Sequence, residues 1–182
     1  MQTIIYILPE LFLSIAIMSF LMIGVFFKNI YKLLNLLTIG SLLFAIALIL
    51  NQPEETVKVF NESYIIDGLS IIAKTLTLLF TIFVLFLSKD YLKVHKIDKI
   101  EYPIIILSSV LGMLIMISSY DLIVFYLGLE LQSLSLYILA SFKRNDEKST
   151  EAGLKFFVLS SLATGLLLYG CSLIYGFTGS TN

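Results

Sequence analysis

Four charged side chains lie within stretches that are otherwise apolar enough to cross a lipid bilayer: Glu10, Lys74, Glu130 and Lys155. A charge at the centre of a bilayer costs about 2.5–3.5 kcal/mol on insertion-based scales. Such a residue therefore usually faces a partner charge, a hydrated cavity or a neighbouring subunit. The chemistry that carboxylates and amines can perform in this setting is proton transfer.

Glu130 is the main candidate, because it lies eight residues after Leu122, near the middle of its apolar stretch. At about 1.5 Å of rise per residue this position is close to the bilayer midplane. Tyr126, Ser133 and Tyr137 share its helical face, where their hydroxyls could hold water beside the carboxyl. The alternative is a protonated glutamic acid that only forms a hydrogen bond with a neighbouring helix.

The other three charged residues are weaker candidates for proton transfer. Lys74 is either a proton relay or a lysine whose ammonium extends to the interface. Lys155 lies one turn inside its stretch and is either a relay or an interfacial residue. Glu10 follows Pro9 near a predicted helix start, so we interpret it as a structural residue that complements the helix dipole. Lys74 shares a predicted protein-facing stripe with Ser70, Thr77, Thr81 and Ser88.

The remaining residues give little support for catalysis within this chain. The one histidine and the one cysteine, His95 and Cys171, are too few to build a metal site. A Gly-rich phosphate loop and a nucleophile–base pair are both missing from the sequence. Ser161 and Gly165 form a small-xxx-small pair that favours close helix packing. The sequence therefore predicts no metal and no cofactor in this chain.

The composition indicates the elements that must position these residues. Of 182 residues 58% are hydrophobic and 14% charged, and the mean hydropathy is +0.97, which excludes a water-soluble globule. The formal net charge of -1 argues against nucleic-acid binding. We predict an all-α polytopic membrane protein, with one transmembrane domain over residues 1–182. Its six predicted helices lie near residues 4–27, 33–50, 69–87, 103–118, 122–142 and 154–175.

The basic residues predict how the helices are oriented. Nine of the twelve Lys and Arg residues fall in the odd-numbered loops, whereas the second loop, residues 51–66, holds only Lys58. Because basic loops stay on the cytoplasmic or matrix side, both chain ends are predicted on the periplasmic or intermembrane-space side. The nine are Lys28, Lys32, Lys89, Lys93, Lys96, Lys99, Lys143, Arg144 and Lys148.

Several polar residues predict where helices start. Asp67 and Asp121 are suited to cap the third and fifth helices, and Ser149 is suited to cap the sixth. Pro103 suits the first position of the fourth helix.

The last third of the chain carries a specific resemblance. It contains LELQSLSLY around Glu130, then STEAGLKFF, then LYGCSLIYGFTG before the carboxyl terminus. With the Pro9–Glu10 pair and the Asp67–Ser70 helix start, this pattern resembles subunit 2 of NADH:ubiquinone oxidoreductase, respiratory complex I, called subunit N in bacteria. The resemblance extends over all 182 residues.

The resemblance implies an antiporter-like fold in which Glu130 pairs with a lysine on a later, broken helix. The chain departs from the family pattern because it stops before the helices that carry the channel lysines. A split gene, a truncated chain or a lost channel could each explain this. We favour a split gene, since the polar stretch 176–182 is a place where a break leaves whole helices on both sides.

The resemblance also implies partners, a location and a role. The partners are other membrane-arm subunits of complex I, a separate chain with the remaining subunit 2 helices, and membrane lipids. The location is the mitochondrial inner membrane, or alternatively a bacterial plasma membrane. The chain is then a non-redox subunit of proton-translocating NADH:ubiquinone reductase, and the energy comes from other subunits. The alternatives are a free-standing cation/proton antiporter and a scaffold without pumping.

Overall fold

The computed structural model describes residues 5–27, 31–53, 56–95 and 97–181. The predicted first-helix start at Ile4 and the loop residues Lys28, Glu54, Glu55 and Lys96 lie outside these ranges. In chain order the described elements are α1 (Leu8–Phe26), α2 (Tyr31–Leu50), β1 (Val57–Val59), β2 (Tyr64–Ile66), α3 (Gly68–Val94), α4 (Glu101–Ile117), α5 (Leu122–Ala140) and α6 (Glu147–Thr178).

The helices confirm the predicted fold class. Five of them, α1, α2, α3, α5 and α6, are long and apolar enough to cross a membrane, and α4 is a shorter apolar helix of 17 residues. Two helices are longer than the sequence predicted, because α3 continues to Val94 and α6 begins at Glu147. Their extra turns are polar, so hydropathy alone ends the helices too early.

A short antiparallel hairpin was not predicted. β1 pairs with β2 in the register Val57 to Ile66. The hairpin also forms hydrogen bonds with the turn between α4 and α5, where the Ile65 N–H donates to the Ser118 carbonyl at 2.8 Å. The Tyr120 N–H in turn donates to the Ser63 carbonyl at 3.0 Å. The second and fourth loops therefore meet at one end of the bundle, which we call the hairpin end.

The opposite end, which we call the basic end, gathers the odd-numbered loops. A cavity of about 700 Å³ there is lined by Lys32 from α2, Lys93 from the last turn of α3 and Lys99 from the third loop. The Lys99 ammonium lies 5.9 Å from the ring centre of Phe142 in the fifth loop. The structure thus separates odd from even loops, as an up-and-down bundle requires.

The helix caps agree with the sequence at two positions and differ at one. Asp67 and Ser70 form a reciprocal capping box at the start of α3. Asp121 caps α5, whereas α6 is capped by Asp146 and not by Ser149, whose hydroxyl donates to the Ala140 carbonyl. The difference arises because α6 starts at Glu147, about two turns before the apolar stretch that begins at Leu154. Pro103 is the third residue of α4, not the first.

We expect Asp121→Ala to weaken the start of α5. The Asp121 carboxylate accepts hydrogen bonds from the N–H groups of Ile123 at 2.7 Å and Val124 at 3.3 Å. Loss of such a cap costs about 0.5–2 kcal/mol. The measurement is the fraction of assembled complex that survives a heating series, and Asp121→Asn should recover most of the loss. An alanine variant as heat-resistant as the wild type would contradict this role.

The tightest helix contact joins α4 to α5. A Cβ added at Gly112 would lie 2.6 Å from the Gln132 nitrogen and 2.7 Å from the Gly128 carbonyl oxygen. The two backbones therefore approach as closely as small residues permit. The predicted small pair Ser161 and Gly165 does not pack in this way, because both residues are exposed on α6. Of the residues of α6, only Gly153 and Thr164 are buried, so this helix presents a largely open face.

Candidate functional site

Glu130 is half-buried near the middle of α5. Its neighbours in sequence, Gly128 and Gln132, contact Gly112 of α4. At 3.6 residues per turn, Glu130 is about 160° around the helix from each of them. The Glu130 carboxylate therefore lies on the side of α5 that is turned away from α4.

The three predicted companions of Glu130 have different surroundings. The Tyr126 hydroxyl interacts with the Glu130 carboxylate, so this pair lies together. Tyr137 is buried against Phe156 and Phe157 of α6, with ring centres 5.0 and 5.6 Å away. Ser133, which lies between Glu130 and Tyr137 in the sequence, is half-buried. The face is therefore polar around Glu130 and aromatic toward the basic end.

Glu130 forms no ion pair with any residue that the structure describes. The ion pairs over residues 5–27, 31–53, 56–95 and 97–181 join Lys58 to Glu62, Lys74 to Glu10, Lys143 to Asp146 and Lys155 to Glu151. The Lys143 ammonium also lowers the pKa of Asp146 through their hydrogen bond. Neither Lys74 nor Lys155 is thus the partner of Glu130 in this structure.

Lys74 belongs to a buried cluster at the hairpin end. Its ammonium donates to Glu10 Oε1 and to the Tyr64 hydroxyl, both at 2.7 Å. The Tyr64 hydroxyl donates to the same Glu10 oxygen at 2.6 Å. Lys74 is 0% exposed, so it does not extend to the interface, and the lysine-snorkelling interpretation is wrong.

Sequence reasoning missed the role of Glu10. We expected a residue close to water that complements the helix dipole, but Glu10 is 5% exposed and its carboxylate accepts hydrogen bonds from Lys74 and Tyr64. One signal could have revealed the pair. Because α1 and α3 run in the same direction, Glu10 and Lys74, each within seven residues of its helix start, lie near the same end.

Lys155 lies on the exposed side of α6. Its ammonium forms an ion pair with Glu151 one turn earlier, and 67% of the Lys155 side chain is exposed. Two exposed charges in one helical turn add little to stability. Among the described residues no group of three or more His, Cys, Asp and Glu side chains could hold a metal ion.

Similarity to known proteins identifies the family. Residues 119–182 match the family described as "NADH:quinone oxidoreductase/Mrp antiporter, TM". The whole chain is 56% identical over 183 aligned residues to NADH-quinone oxidoreductase subunit N of Pelagibacter ubique. The chain is also 46% identical to subunit N of Maricaulis maris, in an alignment that covers 96% of the present chain. The chain belongs to the subunit N family.

The match covers the N-terminal part of subunit N. The chain spans 39% of the Pelagibacter ubique protein and 37% of the Maricaulis maris protein. Its structure matches 38% of a chain in respiratory complex I from Thermus thermophilus, with a TM-score of 0.80 at 27% identity over 95% of the present chain. Glu130 and its neighbours thus belong to the part of subunit N that the family match covers.

A second solved structure shares the fold alone. It is the archaeal membrane-bound sulfane sulfur reductase, with a TM-score of 0.78 at 18% identity. This likeness covers 99% of the present chain and 38% of the archaeal one. The six-helix arrangement of this subunit N segment therefore occurs in more than one respiratory membrane complex.

Proposed function

We propose that this chain forms the N-terminal part of a proton-translocating membrane subunit of an NADH-quinone oxidoreductase, with Glu130 as its membrane-embedded proton carrier. The observation that carries the proposal is the position of Glu130. It is a half-buried carboxyl at mid-membrane depth, on the face of α5 turned away from α4, without an ion-pair partner among the described residues. The 56% identity to subunit N of Pelagibacter ubique supports it.

A carboxyl in this position can work as a switch. An approaching cation favours the charged form and so releases the proton, whereas its withdrawal lets the carboxyl take up a proton. The Tyr126 hydroxyl, which interacts with Glu130, is suited to pass that proton onward. The cation is a lysine from the helices that this chain lacks relative to subunit N, in the same polypeptide or in another.

The energy for translocation comes from other subunits. Moving one charge across a membrane costs about 2.3 kcal/mol per 100 mV, and oxidation of NADH by quinone supplies it elsewhere in the complex. This chain is therefore part of an enzyme without holding its redox site, and we propose that it binds no cofactor. Glu130 would do its work when conformational change reaches it from neighbouring membrane-arm subunits.

The proposed location is a membrane that holds a respiratory complex. The relatives named above are bacterial, which supports a bacterial plasma membrane, and the mitochondrial inner membrane stays a prediction. We propose that the basic end faces the cytoplasm, following the rule for positively charged loops. The hairpin end would then face the periplasm.

One observation favours a second candidate function. The matching family includes Mrp antiporters, so the same helices could belong to a cation/proton antiporter. Both functions need a membrane-embedded carboxyl, and they differ in their source of energy. An antiporter uses a sodium gradient, whereas the complex uses NADH oxidation.

Purification under mild conditions tests the proposal. The polypeptide that contains this chain, expressed with an affinity tag in its native host, is expected to copurify with NADH-quinone oxidoreductase activity that is coupled to proton uptake into sealed vesicles. Sodium-driven proton exchange in preparations that lack NADH oxidation would instead favour the antiporter. Copurification without either activity would contradict both functions.

A further inference from the structure

A buried charge pair exists far from Glu130 in the sequence, and proton translocation through Glu130 does not use it. Glu10 from α1, Tyr64 from β2 and Lys74 from α3 form it, and we call it the hairpin-end cluster. Their exposures are 5%, 4% and 0%, respectively. Burial of an ion pair is rarely a net gain in stability, because desolvation offsets the attraction between the charges.

The two oxygens of Glu10 have different surroundings. Oε1 accepts both hydrogen bonds of the cluster, from Tyr64 at 2.6 Å and from Lys74 at 2.7 Å. Oε2 is buried and has no partner among the described residues. A proton can therefore bind at Oε2 without breaking either hydrogen bond at Oε1.

Lys74 can give up a proton under the same geometry. Its ammonium uses two N–H groups, one for Glu10 and one for Tyr64, and a neutral amine still has two. Burial, and then the charge of Glu10, raises the pKa of the Tyr64 hydroxyl, so Tyr64 stays protonated and remains a donor. The cluster can thus exist as a charged pair or as a neutral pair with the same hydrogen bonds.

We propose that the hairpin-end cluster is a second proton-exchange site of this subunit, in which Glu10 Oε2 takes up one proton and Lys74 Nζ releases another. The carboxylate becomes a carboxylic acid and the ammonium becomes an amine, so the net charge of the cluster is zero before and after. This inference rests on the proposed translocation of protons by the subunit.

Other polar groups extend the cluster in two directions. Toward the hairpin end, Ser118 Oγ and Gln52 Oε1 are also buried without hydrogen-bond partners among the described residues. The Gln52 amide donates to the Tyr6 carbonyl, one turn before Glu10. Toward the membrane interior, Thr77 and Thr81 follow Lys74 on α3 and line a cavity of about 460 Å³ between α3, α4 and α5.

Among the residues that the structure describes, few other charges act on the cluster. Glu10 is the ionisable group that affects both Lys74 and Tyr64, and the Ser118 hydroxyl lies beside Tyr64. On the elements packed around it, Asp67 is occupied as the cap of α3. The hairpin pair of Lys58 and Glu62 lies at the exposed surface, with an N–O distance of 3.0 Å.

The test compares variants of the intact complex in sealed vesicles. Lys74→Arg keeps the positive charge and the hydrogen-bond donors but does not release a proton in a protein. The double variant Glu10→Gln with Lys74→Gln removes both charges together, so that neither is stranded. The control is Lys58→Gln with Glu62→Gln, which removes an exposed pair from the same hairpin.

The expected result is assembled complex in every case, with protons translocated per NADH oxidised reduced severalfold in both cluster variants and unchanged in the control. Normal translocation by assembled Lys74→Arg complex would overturn the proposal, as would failure of both cluster variants to assemble, since the pair would then only hold the fold. Glu130→Gln, measured beside them, separates the two ideas. If Glu130→Gln lowers translocation and the cluster variants do not, only the present inference fails.

Discussion

Glu130→Gln is expected to leave the complex assembled and to reduce the number of protons translocated per NADH oxidised. Glutamine keeps the shape of the side chain and an acceptor oxygen but does not titrate, so the variant separates proton transfer from packing. The effect should be large because Glu130 is the one acidic residue within the apolar span of α5. The measurement is NADH-driven acidification or alkalinisation of sealed vesicles that hold equal amounts of complex.

The matched control is Glu147→Gln, which removes an exposed carboxylate in the first turn of α6. It should translocate protons normally, because its carboxylate lies in water beyond the apolar span. Glu130→Ala would be harder to interpret, since it also opens a cavity. Unchanged translocation in assembled Glu130→Gln complex would remove the assigned role of this residue.

Gly112→Ala is expected to lower the amount of assembled complex sharply. The new methyl would meet backbone atoms of α5 at 2.6 and 2.7 Å, and neither atom can rotate away. The helices must then separate, which for overpacked cores costs about 1–3 kcal/mol. Because Gly128 and Gln132 flank Glu130, the shift would also move the carboxylate. Quantitative immunoblotting of membranes, calibrated with tagged complex, measures the loss.

Gly40→Ala on α2 is the control for this prediction. A Cβ at Gly40 meets nothing within 4 Å among the described residues, and alanine is the better helix former by about 1 kcal/mol. This variant should accumulate like the wild type or slightly better. If Gly112→Ala accumulates equally well, α4 and α5 are not held by the close approach of their backbones.

Much of the fold follows from local properties of the chain. The apolar stretches predict the helices because a bilayer leaves backbone groups no partner except one another, whichever side chains surround them. Asp67 and Asp121 predict helix starts because a cap acts within three residues of its own position. The depth of Glu130 follows in the same way, from a constant rise per residue.

Contacts between distant residues needed the tertiary structure. Glu10 and Lys74 are 64 positions apart, and neither sequence context shows that one neutralises the other. The hairpin was not predicted because its three-residue strands are too short for a pattern of alternation, and it is held by the α4–α5 turn. The close approach of the α4 and α5 backbones at Gly112 and Gly128 likewise becomes evident only in the folded structure.

The sequence by itself therefore determined which segments enter the membrane and which charges enter with them, because the transfer of a side chain from water to lipid depends mainly on that side chain. Only the tertiary structure decided which charges are paired. Lys74 forms hydrogen bonds with Glu10 and Tyr64, whereas Glu130 has no counter-charge among the described residues. The reason is that an ion pair depends on separation in space, at a few ångströms, and the folded arrangement of α1, α3 and the hairpin sets that separation.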